Sequence, residues 1–441
     1  MMTNPFLWKG VSLALLIVVL MIPLALVGAT IEERAAFRQE AEQDIAKSWG
    51  GTQRLVGPML VQQYEIHVIE EVWDETQKLH VEKAGWQERV ALRFPETLDI
   101  RGDVRVEQRY RGIHVVPVYR ADLAMTATIE VPEPPAGARN VVNRMVIGVS
   151  DTRGFREQPV LRLDDATLAA LPGTGTEMRN GVHAVLDAKP GRHSVSVAFS
   201  LGGTSRLSVA PIGGSTDMYL ASNWPHPRFS GGYLPENSEV GEAGFQADWR
   251  TSLYATTARD AAEACVKSGN CGFQDTQLIS IGLADPVNIY LLNERSTKYG
   301  ILFILVVFGV FLVFEVLKRL RIHPVQYGMV GLGQAMFFLL LLSLSEHVAF
   351  GLAYLAGAAA CVLLLTFYVS HVLNGPGRGI GFGMLLAGIY GALFVILQSE
   401  DYALLLGSLL LFGLLAAAMY LTRHVDWYAM GASRPGVGEG G

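Results

Sequence analysis

Apolar residues follow two patterns along this chain. The first is a set of six long apolar runs: Val11–Ala29 near the N-terminus, then five more at about Gly300–Leu317, Tyr327–Leu344, Val348–Ser370, Ile380–Leu397 and Ala403–Leu421. A helix rises 1.5 Å per residue, so a run of about 20 residues crosses roughly 30 Å of hydrocarbon. The second pattern fills residues 31–297, where short segments of alternating or β-branched residues are cut by Gly, Pro, Asn and Asp. The expected fold is a multi-pass α-helical membrane protein with six transmembrane helices and a large β-rich periplasmic domain, antiparallel and sandwich-like. Its expected parts are an anchoring helix at 1–29, the β-rich domain at 30–297, a five-helix membrane domain at 298–428 and a flexible cytoplasmic tail at 429–441.

Charge decides the sidedness. Lys9, then Lys318, Arg319 and Arg321, then Arg378, then Arg423 fall at alternate helix ends, while the opposite short loops carry Glu346 and the pair Glu400 and Asp401. Positive charge marks the cytoplasmic face, so both termini are expected inside and residues of about 30–297 outside, in the periplasm of a cell with two membranes. Val27-Gly28-Ala29 also fits a signal-peptidase site, and cleavage there would leave five helices with the same sidedness. Against it, the run is long for a signal peptide, and Ile31, Ala35, Ile45 and Trp49 continue one helical face into water.

Strands are expected at 56–73, 78–94, 104–111, 114–131, 142–150, 193–201, 204–210, 215–222 and 243–254. Val195, Val197, Phe199 and Leu201 mark one face of a strand, and Gly202-Gly203 reads as a hairpin turn into Thr204–Ala210. Two helical patches stand apart, Ile31–Trp49 and Ala258–Lys267. Residues 31–297 hold 27 Lys and Arg against 35 Asp and Glu. That balance leaves no footprint for nucleic acid, and solubility is its plain meaning.

Of three cysteines, Cys361 lies in a membrane run and reads as a small packing residue. Cys265 and Cys271 flank Gly269 and Asn270, which can turn the chain back, so a disulfide is expected in an oxidising compartment. The densest local signal is the loop Ser222-Asn223-Trp224-Pro225-His226-Pro227-Arg228-Phe229 and its continuation to Pro235. Its prolines and glycines dictate a special shape, neither helix nor strand. Such a loop could bind a partner, or its aromatics could plug one end of the sheet.

The chain has no His-Glu-x-x-His, Gly-x-Ser-x-Gly, Walker A or Rossmann signature, and His226 has no second His or Cys at ligand spacing, so neither metal nor cofactor is expected. Within the membrane runs Glu315 lies about one turn from Lys318 and Arg319, and is expected to pair there. Glu346 and His347, near in depth to Glu400 and Asp401, form a candidate periplasmic-face cluster, with loop solvation as the simpler meaning. Ala349, Ala353, Gly357 and Cys361 recur every four residues as a groove of small side chains.

Several blocks carry a family resemblance: Leu55-Val56-Gly57-Pro58, Arg109–Ile113, Ser222–Pro235, Gly244–Trp249, Arg321–Tyr327, Leu339–His347 and Leu421–Tyr428. Together they resemble the CreD family of bacterial inner-membrane proteins over nearly the whole chain, ending near Tyr428. The cysteine pair and the Gly-rich tail after Met430 are outside that pattern. The resemblance implies a role in cell-envelope integrity, under a carbon-source and β-lactam responsive two-component regulon, with no established enzymatic activity, so a non-enzymatic protein is expected. The alternatives are a membrane subunit of an envelope transporter with a separate energy-coupling partner, and an intramembrane enzyme using Glu346 and His347. The partners expected are the lipid bilayer and, beyond it, other envelope proteins or a second copy of the chain.

Overall fold

A computed structural model describes residues 5–74, 79–283, 289–318, 322–372, 375–399 and 402–423. The chain divides into a helical unit, Met1–Arg38 with Val287–Gly441, and a β unit, Gln39–Pro286. The helices are α1 (Pro5–Trp49), α2 (Ala258–Ser268), α3 (Ile289–Lys298), α4 (Gly300–Lys318), α5 (Pro324–Ser345), α6 (Phe350–Val372), α7 (Pro376–Gln398) and α8 (Ala403–Thr422). The strands run β1 (Gln53–Asp74), β2 (Leu79–Arg93), β3 (Thr97–Arg111), β4 (His114–Val131), β5 (Arg139–Val149), β6 (Val160–Leu163), β7 (Ala166–Leu168) and β8 (Leu171–Pro172). They continue as β9 (Gly181–Leu186), β10 (Gly191–Thr204), β11 (Arg206–Val209), β12 (Ser215–Ser222), β13 (Pro227–Gly231), β14 (Asn237–Gly241), β15 (Gly244–Ser252) and β16 (Ile279–Leu283).

Two eight-stranded sheets make the β unit. One has the order β13-β16-β11-β1-β5-β9-β8 with β2 paired to β1, the other β14-β15-β12-β3-β4-β10-β6-β7. Alternation along β4 and β10 sends Leu123, Met125, Val195 and Val197 of one sheet into a single apolar core with Leu55, Met59, Met145 and Ile147 of the other. Packing at strand period 2 from both inner faces is what a sandwich requires. The antiparallel expectation needs a correction: β1 pairs β11 in parallel, and β12 pairs β3 in parallel, so both sheets are mixed.

The hairpin expected at Gly202-Gly203 is absent too. Both glycines sit inside the ladder, opposite Arg120 and Tyr119 of β4. A Cβ on Gly203 would strike the Tyr119 ring, so the residue is small because another side chain crosses it. The chain switches sheets one step later at Ser205, with φ of 61°, and β11 joins the opposite sheet.

Among the described residues of the helical unit, four helices are long and apolar enough to cross a membrane: α1, α5, α6 and α7. A further apolar pair, Ile289–Lys298 and Gly300–Val313, is bent by 41° at its break, the geometry of either one broken span or a re-entrant loop, and Leu405–Ala417 of α8 is a shorter apolar helix. The helical core is aromatic. Phe337 meets Phe338, Tyr354 and Tyr390 edge-on, and Phe311 meets Tyr327 and Phe382 likewise. Leu20 of α1 packs where Gly331 of α5 lacks a side chain, so the first helix is built into this core.

Candidate functional site

The loop after β12 is built from its aromatics outward. Asn223 is tied to β3, its Oδ1 accepting from the Val106 N–H at 2.8 Å and its Nδ2 donating to the Val106 carbonyl at 3.2 Å. Trp224 is half-buried against the core, and its indole N–H donates to the His226 carbonyl at 2.9 Å. Pro225 and Pro227 bracket His226, whose ring lies edge-on to Trp224 at 6.3 Å. The second half of the loop is a strand, which corrects the irregular loop expected there: Pro227–Gly231 pairs antiparallel with β16 at the edge of its sheet. Proline is tolerated at the first residue of an edge strand, which is where Pro227 stands.

Phe229 faces inward, its ring edge-on to Phe245 at 5.5 Å and to Trp249 at 5.6 Å. Tyr233 donates from its hydroxyl to the Ala255 carbonyl at 3.0 Å. Gly231 has φ of 96°, and the Leu278 carbonyl oxygen occupies the place a Cβ would take, so no side chain fits. Alternation therefore leaves His226 and Arg228 exposed on an aromatic base. Chemically the loop offers an imidazole and a guanidinium to solvent.

The candidate cluster at the end of α5 divides. Glu346 turns into the helical unit, its side chain only 9% exposed, accepting from the Tyr290 hydroxyl at 3.2 Å, with Arg34 of α1 at 3.9 Å. Beside it Asn293 of α3 donates to the Ser345 hydroxyl at 2.9 Å. His347 is exposed, and Glu400 and Asp401 lie outside the described residues. Glu346 is thus a tie among α1, α3 and α5, and loop solvation does not describe it.

Of the partners expected for Glu315, Arg319 and the side chain of Lys318 lie outside what the structure describes. The Glu315 carboxylate turns toward α1, binding Lys9, and accepts from the Tyr327 hydroxyl at 2.9 Å and the Ile322 N–H at 3.3 Å. Lys9 in turn donates to the Ile322 carbonyl at 2.9 Å. One lysine on an apolar helix and one acid on another were the available signal, but the packing of the two helices was needed to match them.

In the β unit Cys265 and Cys271 are joined as a disulfide, with Cα atoms 4.3 Å apart. Sequence reasoning placed Trp49 on a helical face but missed its setting, the end of α1 between two guanidinium groups, Arg156 at 4.0 Å and Arg109 at 4.5 Å from the ring centre. Its indole N–H donates to the Tyr119 carbonyl at 3.1 Å. Burial, then the nearby Arg120 and Arg109, lower the Arg156 pKa. Among the described residues no three His, Cys, Asp or Glu gather as a metal site.

The family model described as "Inner membrane protein CreD" matches residues 5–428, through both units. The chain belongs to the CreD family. The Inner membrane protein CreD of Escherichia coli (strain K12) is 36% identical over 440 residues, covering 97% of this chain and 95% of that protein. With several helices apolar enough to span, this CreD relative is a multi-pass membrane protein carrying a large mixed-sheet domain. Among solved structures, the native leukotriene A4 hydrolase of Saccharomyces cerevisiae aligns at TM-score 0.21 and 7% identity, over 37% of this chain and 28% of that one. No fold or function follows from so slight a likeness.

Proposed function

We propose that the protein acts without enzymatic chemistry in cell-envelope integrity, from the inner membrane, with six crossings, both termini in the cytoplasm and the β unit in the periplasm. The observation that carries this reading is the CreD match through both units, from residue 5 to 428. Sidedness draws on Lys9, Arg378 and Arg423 at alternate helix ends. The bilayer is one partner, and other envelope proteins or a second copy are the others.

Reporter fusions after residues 297, 346 and 400 should be active in the periplasm, and fusions after 322, 376 and 428 should not. A cytoplasmic signal after 297 would overturn the placement. Envelope function is read by complementing a deletion strain. His226→Ala with Arg228→Ala should complement at wild-type protein level, whereas Trp224→Ala or Phe229→Ala should lose protein, because the aromatics fill the sheet end. Loss of complementation by a stable His226/Arg228 variant would instead make the loop a contact surface. A nucleotide-binding protein co-purifying in stoichiometric amount would replace this reading with a transport subunit.

A further inference from the structure

The long hairpin of β1 and β2 leaves its sheet part-way. β1 pairs with β5 only as far as Glu65, opposite Arg139, and from Ile66 to Asp74 its ladder runs to β2 alone among the described residues. A two-stranded ribbon is marginal in water without something packed on it. One face of this ribbon repeats a motif.

Near the base, His67 stands opposite Trp86, ring to ring at 5.4 Å, beside the directly opposed acids Glu65 and Glu88. Six residues further along, Trp73 stands opposite His80 at 5.2 Å, beside the opposed acids Glu71 and Glu82. The shift of six keeps both sets on the same face, about 20 Å apart. Like charges directly opposite each other cost a ribbon stability, so each acid pair needs a cation. At the base the protein supplies one. Arg139 lies 3.6 Å above the Trp86 ring centre while its Nε donates to Glu65 at 2.7 Å. At the tip Trp73 is 52% exposed, with Ile69 exposed between the two sets. Among the side chains the structure describes, none gives Glu71 or Glu82 an ion pair.

We propose that the Trp73–Glu71–Glu82 end of this ribbon binds an arginine-bearing extended segment of another polypeptide, holding its guanidinium as the base holds Arg139. Arginine fits better than lysine because a planar guanidinium stacks on the indole while its N–H groups reach the carboxylates. The aliphatic stem of the arginine would cover Ile69. The excess of acid over base in residues 31–297 draws such a segment in. This surface stands independently of the envelope reading.

Fluorescence anisotropy on the full-length protein in detergent tests it, with a fluorescein-labelled peptide of Ala-Arg repeats as probe and its Ala-Lys counterpart as control. The arginine peptide should bind saturably and about fivefold tighter than the lysine peptide. Trp73→Ala should weaken it about tenfold, as should Glu71→Gln with Glu82→Gln, an isosteric pair that relieves repulsion and cannot fail by unfolding the ribbon. Removing two exposed charges elsewhere in the β unit, Glu239→Gln with Glu242→Gln, should leave affinity within about twofold. Equal affinity for the lysine peptide, unchanged binding by the ribbon variants, or equal loss in the Glu239/Glu242 control would each overturn the proposal.

Discussion

The two units place their charges in opposite ways. Along β3 the exposed face carries Arg101 with Asp99, Arg105 with Asp103 and Arg109 with Glu107, each pair at 3.1 Å in water, while Ile100 faces the apolar core. In the helical unit Glu315 and Glu346 point inward and bind α1 through Lys9 and Arg34. Water explains the difference. Apolar burial drives the sheets together, so charge is left at the surface. Lipid tails are as apolar as leucine, so helices are joined by close packing and polar contact. The exposed pairs along β3 can be removed cheaply; the inward Glu315 and Glu346 hold helices together.

The comparison can be broken in order of effect. Trp249→Ala should cost the β unit about 3–5 kcal/mol, since it empties a buried ring site beside Phe229, and would show as lost protein and a lower melting temperature. Glu315→Ala should cost on the order of 3 kcal/mol by leaving Lys9 without its partner, whereas Glu315→Leu with Lys9→Met should recover most of it. Equal melting of the single and double variants would mean the pair contributes packing alone. Gly357→Leu should cost about 1–3 kcal/mol, because Gly357 faces Phe337 and Leu341 of α5 at van der Waals distance. Leu364→Ala, on the exposed side of α6, should melt close to wild type.

Arg105→Ala on β3 should stay within about 0.5 kcal/mol of wild type. The smallest effect belongs to His193, whose ring nitrogens face Asp164 at 2.7 Å and the Lys189 carbonyl at 2.8 Å. The hydrogen bond to Asp164 raises the His193 pKa above 6.5, and the same bond lowers Asp164 below 3.8. The His193 contribution is therefore full below pH 6.5 and lost as pH rises through the raised value. The Asp164 contribution holds above the carboxylate range and fades as pH falls through the lowered one. Melting of the β unit followed from pH 5 to 8 should fall slightly more in wild type than in His193→Ala; identical slopes would remove the pair from the account.

Helix positions were legible because twenty successive apolar residues have one stable outcome in a membrane, and α4 to α7 lie where the runs do. Strand faces were legible where one side is buried, as in Val195 to Leu201. Gly202-Gly203 misled because glycine marks a turn or a close approach with the same letters, and only Tyr119 on the neighbouring strand tells them apart. The loop from Ser222 hid a strand because β13 pairs with β16, about fifty residues later, and no local pattern announces so distant a partner.

By itself, then, the sequence determined the division into membrane helices and a β domain, the alternation that aims side chains at a core, and membership of the CreD family. These rest on period, length and composition, which are local. Tertiary structure alone decided that Glu315 meets Lys9, that Glu346 ties α1 to α3, that both sheets are mixed, and that one ribbon face carries the same aromatic and acidic set twice. All but the ribbon are pairings between residues far apart in the chain, and their energy depends on a distance that exists only once the backbone has closed.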